Sequence, residues 1–331
     1  MTGTHEWVDG FRGHAILILG DLMLDKYIFG QAVGISPEAP VPVVRLERVT
    51  YCLGGAANVA ANVKSLGGES CLAGVVGDDF EGVTLRKGMR DSNLSSDGVF
   101  VAPGRPTTLK ARVVANHQQV ARVDRETSAA VQEAVRDQLF SYVRETLAGV
   151  GAVVVSDYGK GVAESGLLTR LLLETRIKNK TVIVDPKGSD LKKYRNVEIL
   201  MPNRSATRDL TGIAVIDDTA AERAGRFLLG QTGGQAILLT RGPDGMSLVT
   251  EDGGVKHLPT NARRVFDVTG ASDTVAAVLA LGLSSGRNLS EAACLANHAA
   301  GIAVGKMGTQ VVSAQELRTA LAKTEGHPAD G

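Results

Sequence analysis

The sequence has no excess of charge of either sign and contains few cysteines. Its 36 Lys and Arg residues balance its 36 Asp and Glu residues, so the formal net charge is zero. A neutral chain is not expected to bind nucleic acid or a membrane surface through bulk charge. The three cysteines, Cys52, Cys71 and Cys294, form neither a metal-ligand spacing nor an even disulfide set. This cysteine usage predicts a reducing compartment.

The sequence also lacks segments that would take it to or through a membrane. No apolar run approaches the length of a membrane span. The first residues, with Glu6 and Asp9 ahead of a short apolar run, do not resemble a signal peptide. We therefore expect a cytoplasmic protein with no nucleic-acid partner and no membrane partner.

Common nucleotide-binding signatures are missing as well. The chain contains no Gly-x4-Gly-Lys-Ser/Thr loop, no protein-kinase signature set and no Gly-x-Gly-x-x-Gly after its first strand candidate. The last absence argues against a dinucleotide-dependent oxidoreductase. If the chain binds ATP, it does so through a different binding motif.

Short apolar runs alternate with longer helical patterns along the 331 residues. This alternation is typical of one α/β domain with a mostly parallel central sheet covered by helices. The strand candidates are Ala15–Leu19, Cys71–Val76, Val153–Ser156, Val182–Val184, Ile199–Met201 and Ala236–Leu239.

Polar residues follow each of these six strand candidates. They are Asp21, the pair Asp78-Asp79, Asp157, Asp185, Asn203 and the pair Thr240-Arg241. Ligands of open α/β sheets bind beyond the carboxyl ends of the strands. Although turns favour Asp in general, six polar strand ends predict one shared site.

Two stretches interrupt the alternation and show a period of two residues, as in a sheet with one wet face. Their strand candidates are Leu24–Ala32, Val41–Val49, Thr107–Ala115 and Gln118–Asp124, the last two joined by a turn at Asn116-His117. We predict that segments 24–49 and 107–125 form a small β-lid that excludes water from the site. An exposed edge of this lid would pair with a second copy of the chain, giving a homodimer.

The segment Asp267-Val-Thr-Gly-Ala-Ser-Asp273 stands directly before an apolar helical run. Gly270, Ala271 and Ser272 bring consecutive backbone N–H groups to a helix start, where unpaired donors and partial positive charge suit a phosphoryl group. Asp273 places a candidate base beside them. An ordinary helix start with Asp and Ser in its first turn is the alternative.

A second helix candidate opens with Gly54-Gly55-Ala-Ala-Asn58 and ends at Gly67-Gly68. The two glycines allow the backbone to approach a ligand closely, and Asn58 both donates to and accepts from a sugar hydroxyl. A glycine-rich turn followed by a polar residue without a role explains this motif equally well.

Together, the two glycine motifs resemble the ribokinase (PfkB) family of carbohydrate kinases, over residues 16–312. Within that family, segments 20–25, 35–42, 107–112, 122–126, 156–161 and 185–188 resemble the kinase domains that act on D-glycero-β-D-manno-heptose 7-phosphate in lipopolysaccharide synthesis. The resemblance implies a ribokinase-like α/β fold, helices on both faces of the sheet, and ATP-dependent phosphorylation of the anomeric hydroxyl to the 1,7-bisphosphate. The chain has no room for the nucleotidyltransferase domain of bifunctional relatives, so we expect a stand-alone kinase.

The resemblance also implies roles for matched residues. Asp273 would be the base, and the backbone of Gly270, Ala271, Ser272 and Asp273 would form the anion hole. The sugar would contact Asp21, Gly54, Gly55 and Asn58. The nucleotide would lie along Lys187, Asn203, Thr240, Arg241, Gly242 and Gly245, with Asn297 and Gly301 near the adenine. Mg²⁺ would be held mainly through water without a direct protein ligand, and the need for a monovalent cation stays open.

An acceptor that already carries a phosphate needs cations. Lys110, Arg112, Arg122 and Lys160 supply them in the lid and beside the strand end at Asp157, and Arg suits bidentate phosphate contacts. For Arg112 and Arg122, a solvated strand face is the alternative.

Two positions depart from the family pattern. Ser272 replaces a usual Gly, which preserves the anion hole provided that its φ is negative. Ala206 replaces the Glu of an Asn-x-x-Glu motif, which leaves Asp185 or Asp209 to hold the Mg²⁺ water shell. The open alternatives are a family kinase for another sugar, sugar phosphate or nucleoside, and a non-catalytic sugar-phosphate-binding regulator.

Overall fold

Two β-sheets form the frame of the chain in the computed structural model, which describes residues 4–116, 118–262 and 264–325. The strands are β1 (Ala15–Gly20), β2 (Leu22–Ile35), β3 (Pro42–Gly55), β4 (Glu69–Val76), β5 (Gly98–Val101), β6 (Thr108–Ala115), β7 (Gln118–Arg125), β8 (Ala152–Ser156), β9 (Thr181–Asp185), β10 (Ile199–Leu200), β11 (Ala236–Thr240), β12 (Met246–Thr250) and β13 (Val255–Leu258). The helices are α1 (Ala56–Ser65), α2 (Phe80–Asp91), α3 (Glu133–Thr146), α4 (Ser165–Ile177), α5 (Arg204–Thr211), α6 (Asp218–Thr232), α7 (Ala271–Ser284), α8 (Leu289–Ala303) and α9 (Ala314–Glu325).

Within the described residues, the larger sheet has the strand order β13-β12-β11-β10-β9-β8-β1-β4-β5. The strands from β11 to β5 run parallel, which confirms the predicted mostly parallel sheet. The pattern did not reveal β5, β12 and β13. Both β12 and β13 are antiparallel, because the short segment 241–245 between β11 and β12 is long enough for a hairpin but not for a crossover helix.

Side chains of the central strands alternate between two cores. Ile16 and Ile18 of β1 belong to the core that includes residues of α1, α7 and α8, whereas Leu17 and Leu19 belong to the core on the α3, α4 and α6 side. Strands buried on both faces read as unbroken apolar runs, which is why the sequence located them. The helices therefore cover both faces, as predicted.

The smaller sheet has the order β3-β2-β6-β7 and confirms all four of its strand candidates. β2 begins two residues after β1 ends, and β3 ends where α1 begins, so this sheet extends directly from the carboxyl edge of the larger one. Asn116 takes a positive φ of 51° at the predicted hairpin turn. His117 and the polar tail 326–331 lie outside the described residues.

α7 is apolar around most of its circumference because it is buried between the larger sheet and α8. It spans 14 residues, fewer than a bilayer crossing needs. In the part of the chain that the structure describes, no helix is both long and apolar enough to cross a membrane.

Candidate active site

The carboxyl ends of three neighbouring strands bring three carboxylates to one edge of the larger sheet. The backbone N–H of Asp21, after β1, donates to Ser156 at the end of β8, and that of Asp157 donates to Asp185 at the end of β9, each at 3.1 Å. The ends of β10 and β11 continue this edge, because Asn203 and Thr240 form a bridge. The shared edge that the polar strand ends predict is thus formed.

Two of the polar strand ends serve as helix caps. Asp79 accepts a hydrogen bond from the Gly82 N–H, and Asn203 accepts one from the Ala206 N–H, each at 2.9 Å. Such caps satisfy free N–H groups in the first turn of a helix. The general preference of turns and caps for Asp therefore accounts for Asp79, and the side-chain oxygen of Asn203 is bound to its own helix. Ala206 is buried there.

Two helices begin at the same place, next to this edge. Gly55 precedes α1 with a φ of 56°, and Gly270 precedes α7 with a φ of 78°. A Cβ atom at Gly270 would lie 2.6 Å from Nδ2 of Asn58, so only glycine suits both the backbone and the contact. The two motifs of the sequence analysis thereby meet, although Asn58 and Asp273 are 215 residues apart.

Asp273 lies in the first turn of α7 with 2% of its surface exposed. Its Oδ2 accepts a hydrogen bond from Asn58 Nδ2, and its Oδ1 accepts one from the Tyr158 hydroxyl, each at 2.8 Å. Burial raises the pKa of Asp273 to about 7, an effect that these two hydrogen bonds oppose and the charge of Asp25 strengthens. A carboxyl group with such a pKa exchanges its proton near neutral pH, as a general base requires.

Ser272 takes a helical backbone conformation and is not among the described residues with positive φ. The condition for keeping its N–H in the anion hole is therefore met. Burial raises the pKa of the neighbouring Asp185 to about 8, helped by the charges of Asp273 and Asp157 and opposed by a hydrogen bond from Ser272. The site is thus an acidic recess beside the start of α7, which has no side-chain cap.

Asp21, a predicted sugar contact, has its oxygens bound to the backbone of one loop. Oδ2 accepts from the N–H groups of Tyr158 and Lys160 at 2.9 Å, and Oδ1 accepts from Val162 at 3.2 Å. Asp21 is buried, and burial raises its pKa while these backbone donors lower it. The contacts of Asp21 are those of a loop anchor.

Asp25 and Tyr158 belong to the site but were missed in the sequence. Asp25 of β2 is buried, pairs with the Arg112 guanidinium, and would lie 2.5 Å from a Cβ at Gly54. Burial raises the pKa of Asp25 although Arg112 and Lys110 oppose the effect. Arg112 is 8% exposed in its side chain, so a solvated face does not describe it. The sequence offered one signal for Asp25, an acidic residue inside the strand candidate Leu24–Ala32.

The remaining predicted cations pair with acidic side chains at the end of β7. Glu126 bridges two of them, at 3.1 Å from Lys110 Nζ and 2.6 Å from Lys160 Nζ. Arg122 pairs with Asp124 at 3.1 Å, and its side chain is 53% exposed, as the solvated-face alternative expects. We call Lys110, Arg112 and Lys160 the lid cations.

The residues predicted along the nucleotide follow β9 and β11. Arg241 is buried, pairs with Asp218 and donates to the Asp244 carbonyl at 3.0 Å, so its guanidinium stabilises the turn 241–245. Gly242 and Gly245 take positive φ in the same turn. Lys187 is exposed, and its charge lowers the pKa of Asp185.

A cavity of about 730 Å³ lies beside the predicted adenine residues. Its lining includes Gly301 and His298 of α8 together with Asn261, Arg264 and Phe266. Asn297 does not line it but donates to the Pro259 carbonyl at 2.7 Å, which holds the preceding loop. Gly270 is four positions after Phe266, so the cavity and the start of α7 lie within about 14 Å along the chain.

Comparison with known proteins agrees with this geometry. The sequence profile described as pfkB family carbohydrate kinase matches residues 15–316. The bifunctional protein HldE of Paramagnetospirillum magneticum is 46% identical over 316 residues, which cover 96% of this chain and 65% of that protein. For the bifunctional protein HldE of Geobacter metallireducens, the identity is 45% over 301 residues, covering 91% of this chain and 61% of that protein. The chain therefore spans less than two thirds of these relatives.

Among solved structures, phosphofructokinase-2 from Escherichia coli in complex with substrates and products has the same fold. Its TM-score is 0.78 at 20% sequence identity, and the alignment covers 94% of this chain and 99% of that chain. At this identity the likeness supports the ribokinase-like architecture and no finer statement.

Proposed function

This chain belongs to the pfkB family of carbohydrate kinases, and we propose that it transfers the γ-phosphoryl group of ATP to the anomeric hydroxyl of D-glycero-β-D-manno-heptose 7-phosphate. The observation that carries the proposal is the buried carboxylate of Asp273 at the start of α7, held by hydrogen bonds from Asn58 and Tyr158. The names of the relatives at 46% and 45% identity do not state an acceptor. The heptose phosphate comes from the resemblance described in the sequence analysis, so the acceptor itself is part of the proposal.

In the proposed reaction, Asp273 takes the proton of the anomeric hydroxyl. The freed oxygen forms a bond to the γ-phosphorus, the bond from that phosphorus to the β–γ bridging oxygen breaks, and ADP leaves with the electron pair. Backbone N–H groups of residues 270–273 stabilise the negative charge on the transferring group, because donors at a helix start need no reorganisation. Asn58 keeps the carboxylate in position for this step.

The acidic recess fits a magnesium ion that is carried by the nucleotide. Asp185 offers carboxylate oxygens, which Mg²⁺ prefers. Burial raises its pKa to about 8, and the charges of Asp273 and Asp157 add to the effect. Among the described residues, no group of three or more His, Cys, Asp or Glu side chains is placed to hold a metal ion. When bound, the ion would neutralise phosphate charge, and Asp185 would help to hold its waters.

The lid cations support a phosphorylated acceptor. Lys110 and Lys160 both contact Glu126, whose carboxylate occupies the position between two ammonium groups that a phosphate would suit. A plain sugar needs no such pair. Arg112 pairs with Asp25 and would orient the part of the lid that contacts the acceptor.

The outer part of the small sheet supports a homodimer formed through the lid. Several large apolar side chains are exposed there: Val33, Ile35, Val41, Val43, Leu46, Val49, Val120 and Val123. A group of exposed apolar residues on a sheet edge favours pairing with another chain.

The test is ATP consumption by the purified protein with heptose 7-phosphate, fructose 6-phosphate, fructose 1-phosphate, ribose and adenosine as acceptors. We expect turnover with the heptose phosphate alone and a new anomeric phosphate signal in the ³¹P NMR spectrum of the product. Preference for another acceptor would support kinase activity and refute heptose 7-phosphate as the substrate. Binding of sugar phosphate without ATP consumption would support the non-catalytic regulator instead.

A further inference from the structure

We propose that Tyr158 is a positioning residue for the base Asp273, and that Asp21 is the anchor that holds Tyr158 in place. The proposal rests on the proposed function in one respect, the assignment of Asp273 as the base. It replaces the predicted sugar contact of Asp21 with a role in the loop 157–162.

The first step is the contact between Tyr158 and Asp273. The phenol donates to Oδ1 at 2.8 Å while Asn58 donates to Oδ2 at the same distance, so each carboxylate oxygen has one donor. Two donors from different elements fix the plane of the carboxylate. Each oxygen of a carboxylate accepts more than one hydrogen bond, so capacity remains to receive the proton of a substrate hydroxyl.

The second step is the anchoring of Tyr158 itself. It lies in an irregular segment between β8 and α4, where no strand or helix satisfies the backbone. Asp21 accepts from three N–H groups of this segment, at Tyr158, Lys160 and Val162. Asp157 accepts a fourth, from Gly159, at 2.8 Å. Because unsatisfied buried donors are costly, these carboxylates determine the course of the loop.

The third step concerns the charges around Asp273. Beyond burial, the charge of Asp25 from β2 repels the ionised form of Asp273, and Asp25 has Arg112 as its cation. The charge of Asp273 in turn raises the pKa of Asp185 from β9, which Lys187 opposes. Tyr158 and Asn58 are the groups that favour the ionised form. Losing the phenol should therefore leave the carboxylate both less fixed and harder to ionise.

The experiment compares Tyr158→Phe with the unaltered protein and with Tyr142→Phe as a matched control. Both substitutions remove one hydroxyl, but Tyr142 lies on α3, on the opposite face of the sheet. For Tyr158→Phe we expect kcat to fall about tenfold to a hundredfold, as for a lost hydrogen bond to a charged group. The KM for ATP should not change, and the acid limb of kcat/KM should move to higher pH. Tyr142→Phe should change none of these.

A second readout does not depend on turnover. In protein with ¹³C-labelled aspartate, the carboxyl signal that disappears in Asp273→Asn reports the titration of Asp273, and Tyr158→Phe should move its midpoint upward. An unchanged midpoint together with an unchanged kcat would overturn the proposal. So would a higher sugar KM at unchanged kcat, which would make Tyr158 a substrate contact. If the protein phosphorylates no acceptor but the midpoint moves, the proposed function fails while the positioning contact stands.

Asp21→Asn tests the anchor. We expect faster amide hydrogen exchange at residues 158–162, together with a lower kcat and an unchanged KM for the sugar. A higher sugar KM with unaltered exchange in that loop would overturn the anchoring role and restore Asp21 as a sugar contact.

Discussion

At the scale of single residues, the proposed chemistry depends on a carboxyl group that folding has made costly to ionise. Burial raises the pKa of Asp273 to about 7, from an ordinary value of 3.8. The folded chain therefore holds a proton that the unfolded chain releases between about pH 4 and pH 7. Stability from this group is complete below the unfolded pKa and is lost as the pH rises through the folded pKa.

The first prediction concerns Asp273→Asn. Without the base, turnover should fall about a hundredfold to ten-thousandfold, whereas the free energy of unfolding at pH 8 should rise by on the order of 2 kcal/mol because no buried charge remains. Urea unfolding at pH 8 and pH 5 measures the second effect, which should shrink at pH 5. Near-normal turnover would refute the assignment of the base.

A second prediction is the pH dependence of the unaltered enzyme. Since the base must be ionised, kcat/KM should fall by about tenfold per pH unit below the pKa of about 7. Asp185, with a pKa of about 8, is coupled to Asp273, so the measured values belong to the pair. A rate profile that stays flat between pH 5 and pH 8 would contradict this reading of the site.

At the scale of secondary-structure elements, the small sheet is joined to the site by a buried ion pair. Asp25 of β2 and Arg112 of β6 lie two positions apart in the parallel register of their strands, since Asp25 is aligned with Lys110. Removing one partner leaves a buried charge without its counterion, which is far costlier than removing both.

The third prediction follows from this pair. Arg112→Met should lower the free energy of unfolding at pH 8 by about 3–5 kcal/mol, measured by urea titration. The double variant Asp25→Leu with Arg112→Met should recover much of that loss. If the double variant is as unstable as the single one, the destabilisation comes from lost packing and not from an unpaired charge.

The fourth prediction concerns the exposed apolar part of the lid. Leu46→Asp and Val123→Asp should each convert a dimer to a monomer at micromolar concentration, because a charge at an apolar interface loses its hydration. Sedimentation equilibrium measures this, with Val83→Asp as the control, since Val83 is equally exposed but lies on α2. A monomeric mass for the unaltered protein would refute the lid dimer.

At the scale of the whole molecule, one loop carries both a proposed phosphate contact and a contact to the proposed base. Lys160 contacts Glu126 beyond β7, and Tyr158, two residues away, contacts Asp273. The acceptor phosphate and the reacting hydroxyl would thus be positioned by neighbouring residues of this loop, although the lid and α7 are far apart in the sequence.

The fifth prediction tests this recognition. Lys160→Met should raise the KM for the phosphorylated acceptor at least about tenfold, the effect of losing a charge-assisted contact, while the KM for ATP stays the same. Glu126→Gln should lower the acceptor KM, because it removes the group that competes for Lys110 and Lys160. Lys64→Met is the control, since Lys64 pairs with Glu69 away from the site. Equal effects of Lys160→Met and Lys64→Met would exclude a phosphate contact.

The sequence by itself determined the order of the central strands along the chain, the small sheet, both helix-start motifs and the candidate base. These features follow from local patterns: apolar runs where strands are buried on both faces, alternation where one face is wet, and glycine where the backbone needs positive φ. The sequence did not predict the antiparallel strands β12 and β13 at the sheet edge, because these short strands lack such a pattern.

Only the tertiary structure decided which partner each polar side chain has. Nothing in the local sequence distinguishes Asp21, which anchors a loop, from Asp79, which caps a helix. The local motif identifies Asp273 as a candidate base, but it does not show that burial raises the pKa of this carboxyl group. Their roles depend on donors supplied by segments distant in the chain, and on the water that folding removes from around them. Hydrogen bonding and desolvation are properties of the assembled site, so they become defined only when the two helix starts and the strand ends meet.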